Sequence, residues 1–184
     1  TMPEHRTLFS SGHTGLTDPR TSPPGTTQPA PLSEQQRATN RQLVDEHAQA
    51  LYNASAQEIL EWAHEHVTGK LVVTLSMENT VLAELAAEYL PEADFLFLDT
   101  GYHFPETLEV ANQVDARYRQ HLIRAQPLLT TAEQDLRYGI NLYAKDPAAC
   151  CRMRKVEPLT TEIAPYTGWI TGLRRADSPL RANT

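Results

Sequence analysis

Residues 71–76 of this chain read LVVTLS, a short apolar run without polar alternation. Such a run is typical of a β-strand that is covered on both faces, as in a parallel sheet. The apolar residues that follow recur at helical spacing, namely Val81, Leu82, Leu85, Ala86 and Tyr89. The pattern therefore predicts a buried strand, a loop at residues 77–79 and then a helix.

The same alternation returns along the rest of the chain. Residues 94–98 (DFLFL) form a second apolar run, and a helix is predicted from Pro105, whose ring suits a first helical position. Weaker strands are predicted at 121–124 and 169–172, and further helices at 33–50, at 56–66 and after 130–134, where the spacing is that of a capping box. Strands that alternate with helices predict an α/β fold, a mainly parallel sheet flanked by helices.

Composition bounds the domain organisation. The chain has 184 residues, 40% of them hydrophobic, which is enough for one sizeable core. Residues 1–32 are rich in Pro, Ser, Thr and Gly and show no apolar period, so we expect a disordered leader there. Residues 33–184 are then expected to form a single domain.

Charge and hydropathy exclude several functional classes. The formal net charge of -7 argues against a bulk attraction to nucleic acid or to an anionic membrane surface. No apolar run approaches the roughly 20 residues of a membrane span, and the N-terminus lacks the order of a secretory signal. We therefore expect a cytoplasmic protein without a nucleic-acid or membrane partner.

Three segments fall beyond predicted strand ends, where open parallel sheets bind their ligands. The loop Ser76-Met77-Glu78-Asn79-Thr80 joins hydroxyl and backbone N–H groups to a helix N-terminus, which suits phosphate or sulfate oxygens. The turn Leu98-Asp99-Thr100-Gly101 offers polar groups and a glycine that permits close backbone approach. The turn Gly172-Leu173-Arg174-Arg175 offers two guanidinium groups for an anion. Taken singly, the first loop is better explained as a capped helix start and the third as a solvated basic turn, and an ordinary turn is the alternative for the second.

The two cysteines, Cys150 and Cys151, are adjacent. A disulfide between them would be strained, because neighbouring Cα atoms lie about 3.8 Å apart and bridges usually need 4.4 to 6.8 Å. Asp146 as a cap and Pro147 in the first turn predict a helix start just before the thiols, where the helix dipole favours a thiolate. Metal ligation, a free reactive pair and two small buried residues all stay open on these residues alone.

Two cations follow the thiols. Arg154 comes four residues after Cys150, and Lys155 comes four residues after Cys151. On an α-helix this spacing places each cation on the same face as one thiol. The segment therefore favours negative charge on sulfur close to positive charge.

Three blocks in order resemble one known family. The strings LDTGYHFPET (98–107), CCRMRKVEPL (150–159) and WITGLRRADSPLRA (169–182) look like the matching blocks of the adenylyl-sulfate (APS) and phosphoadenylyl-sulfate (PAPS) reductases. The resemblance covers roughly residues 55–184, and three ordered blocks are more specific than any one of them. The doubled cysteine resembles the iron–sulfur branch of the family, which acts on APS.

The resemblance implies an adenine nucleotide alpha-hydrolase-like, Rossmann-type fold with a modified pyrophosphate loop at residues 76–80 for the phosphosulfate end. It implies backbone contacts from Leu98 and Gly172 to adenosine, and a lysine, Lys155, that supports catalysis between cluster and substrate. Cys150 and Cys151 match two of the four ligands of a 4Fe-4S cluster. The further predicted substrate contacts are Asp99, Thr100, Gly101, Arg154, Arg174 and Arg175.

The activity implied is the reduction of APS to sulfite and AMP in assimilatory sulfate reduction and cysteine biosynthesis. A cysteine thiolate attacks sulfur, and thioredoxin or a similar dithiol then releases sulfite; a homo-oligomer is compatible with this scheme. In the family the nucleophilic cysteine and the other two cluster ligands, a CxxC unit, lie farther along than Thr184. We therefore expect the 184-residue chain to lack the catalytic cysteine and to be inactive alone.

Three alternative functions remain. One is PAPS reduction, by the sister branch of the family. Another is an ATP pyrophosphatase of the same fold, against which the loop SMENTV weighs because it has no glycine. The third is a nucleotide-binding module without redox chemistry, which is expected if Thr184 is the true terminus.

Overall fold

The structure is a computed structural model that describes Ala30 and residues 32–179. The predicted leader, residues 1–32, lies outside the described residues except for Ala30 and Leu32. Residues 180–184 and the side chain of Arg175 also lie outside them.

The described residues contain one sheet of four strands: β1 (Leu71–Leu75), β2 (Asp94–Leu98), β3 (Leu122–Ala125) and β4 (Gly168–Thr171). The strand order is β3-β2-β1-β4, and each neighbouring pair is parallel. The predicted α/β fold with a parallel sheet is confirmed. The two weaker strand predictions were displaced by one residue, in opposite directions.

Helices surround this sheet. Their bounds are α1 (Glu34–Leu51), α2 (Ala56–His66), α3 (Val81–Tyr89), α4 (Pro105–Arg117), α5 (Thr131–Tyr138), α6 (Leu142–Lys145), α7 (Pro147–Cys151) and α8 (Glu157–Ile163). A π-helical turn, Arg152–Val156, joins α7 to α8, and a 3-10 turn covers Arg175–Asp177. Ser33, Ser55 and Thr130 each close a capping box at a helix start, and α4 begins at Pro105 as predicted.

Apolar residues cover both faces of the sheet. Val73, Leu75, Phe95 and Phe97 point to one face, where they form a core with buried residues of α2, α3 and α4. The alternate positions Val72 and Leu96 point to the other face, where Ala125 and Tyr166 join them and Leu159 and Ile163 of α8 pack on top. This two-sided burial is the reason why the strand sequences show no polar alternation.

A polar network closes the edge at which the strands begin. The Tyr166 hydroxyl donates to Asp94 Oδ2 over 2.6 Å, and Lys70 Nζ lies 2.7 Å from Asp94 Oδ1. Asp94 is only 5% exposed and Tyr166 only 6%, so the carboxylate meets its partners inside the protein. Burial, followed by the hydrogen bond to Asp94, raises the pKa of Tyr166 above its ordinary value. The network ties the approach to β4 to the beginnings of β1 and β2.

None of the described helices is both long enough and apolar enough to cross a membrane.

Candidate nucleotide site

The three predicted loops follow β1, β2 and β4, which run parallel and therefore end at one edge of the sheet. The chain passes from β1 to β2 to β3 in one direction, and β4 then lies on the other side of β1. A reversal of this kind opens a crevice at the carboxyl ends of the two strands concerned. This rule places the candidate crevice between the loop at residues 76–80 and the turn at 172–175. A Cβ built on Gly172 would be 3.4 Å from Leu82 Cδ2, so this turn passes close to the start of α3.

Met77 anchors the first loop. Its backbone has φ of 63°, a left-handed conformation that is uncommon for a residue with a side chain, while the side chain is only 4% exposed. The side chain thus packs in the core, and Ser76 and the three residues that follow Met77 remain exposed. Met77 was predicted to contact substrate; the structure leaves only its backbone available for that.

The start of α3 has free donor groups. Asn79 Oδ1 accepts a 3.3 Å hydrogen bond from the N–H of Val81, and the Thr80 side chain makes no capping bond. By helix geometry the N–H groups of Leu82 and Ala83 have no intrahelical acceptor. Together with the exposed hydroxyl of Ser76, these groups can receive the oxygens of an anion.

The second turn, residues 98–101, is held by its own side chains. Asp99 Oδ1 accepts from the N–H of Gly101 over 3.1 Å, and Asp99 Oδ2 accepts from Gln126 Nε2 over 3.1 Å. Nε2 of His103 lies 2.7 Å from the carbonyl oxygen of Leu98, a contact that the sequence reasoning missed. Asp99 and His103 therefore fix the backbone of the turn, through the N–H of Gly101 and the carbonyl oxygen of Leu98.

The cysteine segment begins as predicted. Asp146 caps α7 through a 3.0 Å hydrogen bond from the N–H of Ala149, and Pro147 is the first helical residue. Both cysteines are free thiols; Cys150 is buried and Cys151 is exposed.

The residues after the thiols differ from the prediction. They form a π-helical turn, so the four-residue α-helical spacing that we assumed does not apply. The prediction that Arg154 contacts substrate is not supported, because its side chain is buried and directed at protein acceptors. Lys155, in the same turn, is exposed.

The basic turn after β4 closes on itself. Arg174 Nη2 and Asp177 Oδ1 lie 3.0 Å apart, and the backbone N–H of Arg174 donates to Asp177 Oδ2 over 2.8 Å. The Arg174 side chain is 80% exposed, so an anion in the crevice would compete with Asp177 for it.

The described residues contain two cysteine thiols, those of Cys150 and Cys151, that could bind an iron–sulfur cluster. No group of three or more His, Cys, Asp or Glu side chains occurs among them in a metal-binding arrangement. A 4Fe-4S cluster needs four protein ligands, usually cysteines. The described part of the chain therefore does not fit the cluster by itself.

Among the described residues, two cavities of about 470 and 520 Å³ lie at the other edge of the sheet. The first is lined by Gly69, Lys70 and Ala93, and the second by Arg117 and Gln120, all of which precede strands. We favour the carboxyl edge for a ligand, because the loops there meet a helix N-terminus and a reversal of strand order.

Known proteins resemble this chain over most of its described residues. The sequence profile of the phosphoadenosine phosphosulfate reductase domain matches residues 70–184. The chain belongs to this family. It is 48% identical over 143 residues to adenosine 5'-phosphosulfate reductase of Mycolicibacterium smegmatis, an alignment that covers 78% of this chain and 61% of the relative. For the enzyme of the same name from Streptomyces coelicolor the identity is 45% over 153 residues, which covers 82% and 65%.

A solved structure supports the fold of the family. Phosphoadenylyl-sulfate (PAPS) reductase from Candida auris, in a phosphate complex, superimposes with a TM-score of 0.59 at 24% identity, covering 79% of this chain and 70% of that one. The family and fold inferred from the sequence are thus confirmed. The chain spans less than two thirds of the length of the two bacterial relatives, 61% and 65%.

Proposed function

We propose that this chain is the nucleotide-binding part of an assimilatory APS reductase, an oxidoreductase that converts adenylyl sulfate to sulfite and AMP. The observation that carries the proposal is the reversal of strand order between β1 and β4, with the start of α3 after one strand and an arginine turn after the other. Relatives named adenosine 5'-phosphosulfate reductase, at 45% and 48% identity, favour APS over PAPS as the substrate.

Each end of the nucleotide has a chemical counterpart in the crevice. The phosphosulfate is anionic, and the Ser76 hydroxyl, the N–H groups at the start of α3 and the Arg174 guanidinium are donors suited to it. Adenosine would meet the backbone of Leu98, which His103 and Asp99 hold, and the backbone of Gly172. These residues bind and orient the substrate without forming a covalent bond to it.

The reduction itself needs a thiolate, which the family places beyond Thr184. That thiolate attacks the sulfur of APS, the bond from sulfur to the phosphate oxygen breaks, and AMP leaves with the electron pair. A thiolate of thioredoxin or a similar dithiol then attacks the enzyme sulfur and releases sulfite. The second thiol of the dithiol resolves the mixed disulfide, so the dithiol is oxidised and APS is reduced.

Cys150 and Cys151 are proposed as two of the four ligands of a 4Fe-4S cluster, whose other two ligands in the family are a CxxC unit. When bound, the cluster supplies charge near the sulfate end of the substrate. Lys155, exposed in the turn after the thiols, is the residue of this chain proposed to face both groups.

Calorimetric titration of the chain with APS, AMP and PAPS tests the proposal. APS and AMP should bind more tightly than PAPS, because the doubled cysteine matches the branch of the family that acts on APS. Ser76→Ala should weaken APS about tenfold and AMP less, since AMP lacks the sulfate. Glu92→Gln, in a cavity at the opposite edge, is the control and should change neither affinity.

The alternatives have their own outcomes in the same titration. Tighter binding of PAPS would assign the chain to the sister branch. Preferential binding of ATP, followed by release of pyrophosphate, would indicate the pyrophosphatase class. If a folded chain bound none of the adenine nucleotides, the proposal would fail.

A further inference from the structure

Arg154 is an arginine inside the protein, only 3% exposed, three residues after Cys151. Its Nε donates to the carbonyl oxygen of Thr100 over 2.5 Å. Its Nη1 donates to the carbonyl oxygen of Leu129 over 3.2 Å and to Gln134 Oε1 over 2.9 Å. One guanidinium thus joins three separate segments: the turn after β2, the entry to α5 and the segment that bears the cysteines.

The turn after β2 packs closely around the guanidinium of Arg154. Gly101 has φ of 76°, and a Cβ built on it would be 2.9 Å from Arg154 Nη2. The Tyr102 ring lies beside the guanidinium, with its centroid 5.1 Å from Arg154 Cζ. Gln134, 1% exposed, completes the cluster by donating to the Tyr102 hydroxyl over 3.3 Å. The guanidinium of Arg154 is therefore held by the backbone of the turn, by the Tyr102 ring and by the Gln134 amide.

The π-helical turn, Arg152–Val156, contains the residue that makes these contacts. Such turns are rare, and inside α-helices they occur frequently at functional sites. Arg152 of the same turn is mostly exposed and pairs with Glu157 over 2.9 Å, while Arg154 reaches inward. The turn thus holds one arginine at the surface and one inside, a natural pair for comparison.

We propose that Arg154 is a positioning residue that couples the turn at residues 98–101 to the Cys150–Cys151 segment. A nucleotide that orders the turn would fix the carbonyl oxygen of Thr100, and through the guanidinium it would restrain the turn that follows Cys151. The inference rests on the proposed function, which places adenosine at Leu98. Lysine cannot replace Arg154, because a single ammonium lacks the planar fork that reaches acceptors on three sides.

Alkylation of Cys150 by iodoacetamide, in a Cys151→Ser background, tests the coupling. Cys150 is buried, so its alkylation rate reports local opening of the segment. Saturating AMP should slow this rate on the order of tenfold in the parent and have little effect in Arg154→Lys. Arg152→Lys, the same exchange in the same turn, should keep the full response.

The ratio of rates with and without AMP separates coupling from a structural role. An Arg154 that only supports the fold would change the resting rate in Arg154→Lys and leave the ratio intact. An intact ratio in Arg154→Lys, or no response to AMP in a parent that calorimetry shows to bind it, would overturn the inference. If Arg154→Lys does not fold by thermal melting, Gln134→Met replaces it, because this change removes one acceptor while keeping the side-chain volume.

A second measurement keeps the inference separate from the proposed function. Asp146→Ala removes the cap of α7 and should raise hydrogen exchange at the amides of residues 100–102, but only when Arg154 is present. If the parent chain binds no AMP, the proposed function fails and this exchange result decides the coupling. Equal increases with arginine and with lysine at position 154 would refute it.

Discussion

Gly101 and Gly139 have similar left-handed backbones, with φ of 76° and 84°, but different surroundings. A Cβ on Gly101 would be 2.9 Å from Arg154 Nη2 and 3.2 Å from Thr131 Cγ2, while a Cβ on Gly139 would meet only Lys145 Nζ at 3.4 Å. Both alanine variants should lose about 1–2 kcal/mol of unfolding free energy to the backbone. Gly101→Ala should lose roughly 1–3 kcal/mol more by displacing the guanidinium, as urea unfolding would show. Equal losses would mean that the contact with Arg154 carries no energy.

Tyr166 gives stability a dependence on pH. Because its pKa in the folded chain is raised above the value of about 10 expected when unfolded, the folded state holds the proton at pH values where the unfolded state releases it. This contribution is complete below about pH 10 and is lost as the pH rises further. Tyr166→Phe should cost about 1–2 kcal/mol at neutral pH and flatten the decline above about pH 10.

Urea unfolding between neutral pH and about pH 11 measures both effects of Tyr166→Phe. The control is Tyr138→Phe, at a tyrosine that is 45% exposed, and it should match the parent at every pH. If the unfolding free energy of Tyr166→Phe declined as steeply above about pH 10 as that of the parent, the hydrogen bond from Tyr166 to Asp94 would not be the cause of the decline.

Local signals in the sequence placed most of the helices and the two central strands. Capping boxes and Pro105 are readable because the atoms that satisfy each helix start lie within three residues of it. The predicted bounds of the two weaker strands were wrong by one residue, because a short apolar run with polar neighbours does not define where a strand begins or ends. The rule for parallel sheets also placed all three candidate loops at one edge, before any contact was known.

The π-helical turn and the inward course of Arg154 left no such local signal. The acceptors of Arg154 lie 54, 25 and 20 residues away along the chain, at Thr100, Leu129 and Gln134. The segment CCRMRK predicts a regular α-helix, but the structure has a π-helical turn there, and the contacts of Arg154 with distant residues accompany it. The sequence could therefore bring the candidate loops to one edge of the sheet, whereas it could not show that Arg154 holds the turn after β2 from inside the protein.

Helix α1 should be the least stable element of the described chain. None of its 18 residues, all of them described, is buried, although a capping box starts the helix. Asn40 Nδ2 donates to the carbonyl oxygen of Thr167 over 3.2 Å and so ties α1 to the approach to β4. Helical stability comes mainly from packing of an apolar face, so amide exchange in α1 should be much faster than in α4, which buries Ala111 and Val114.

Two capping variants check this expectation for α1. Ser33→Ala should speed exchange in α1 and leave the global unfolding free energy unchanged, because α1 opens by itself. Thr130→Ala, at the start of α5, should lower the global value by about 1 kcal/mol, because α5 holds the buried Gln134. Exchange in α1 as slow as in α4 would contradict the prediction.

At the scale of the whole molecule, the two edges of the sheet have different characters. The edge at which strands begin holds the bonded trio of Lys70, Asp94 and Tyr166 and two cavities. The edge at which strands end holds the three candidate loops, the left-handed Met77 and the guanidinium cluster of Arg154. The groups that we propose for the ligand lie only at the second edge, a difference that a single ligand can reveal.

AMP should therefore protect only the carboxyl edge from hydrogen exchange. In the chain saturated with AMP, amides of residues 76–83, 98–102 and 172–174 should slow, because these backbones contact the ligand or are ordered by it. Amides of residues 64–71 and 90–93, around the cavities at the amino edge, should exchange as before. At about 100 times its dissociation constant AMP should also raise the unfolding free energy by ~2.7 kcal/mol.

Ser76→Ala should reduce both effects at fixed AMP, while His64→Ala, in a cavity at the opposite edge, should keep them. Protection that appeared instead at residues 64–71 would move the nucleotide to the amino edge and with it remove the basis for the roles given to Ser76, Leu98 and Gly172.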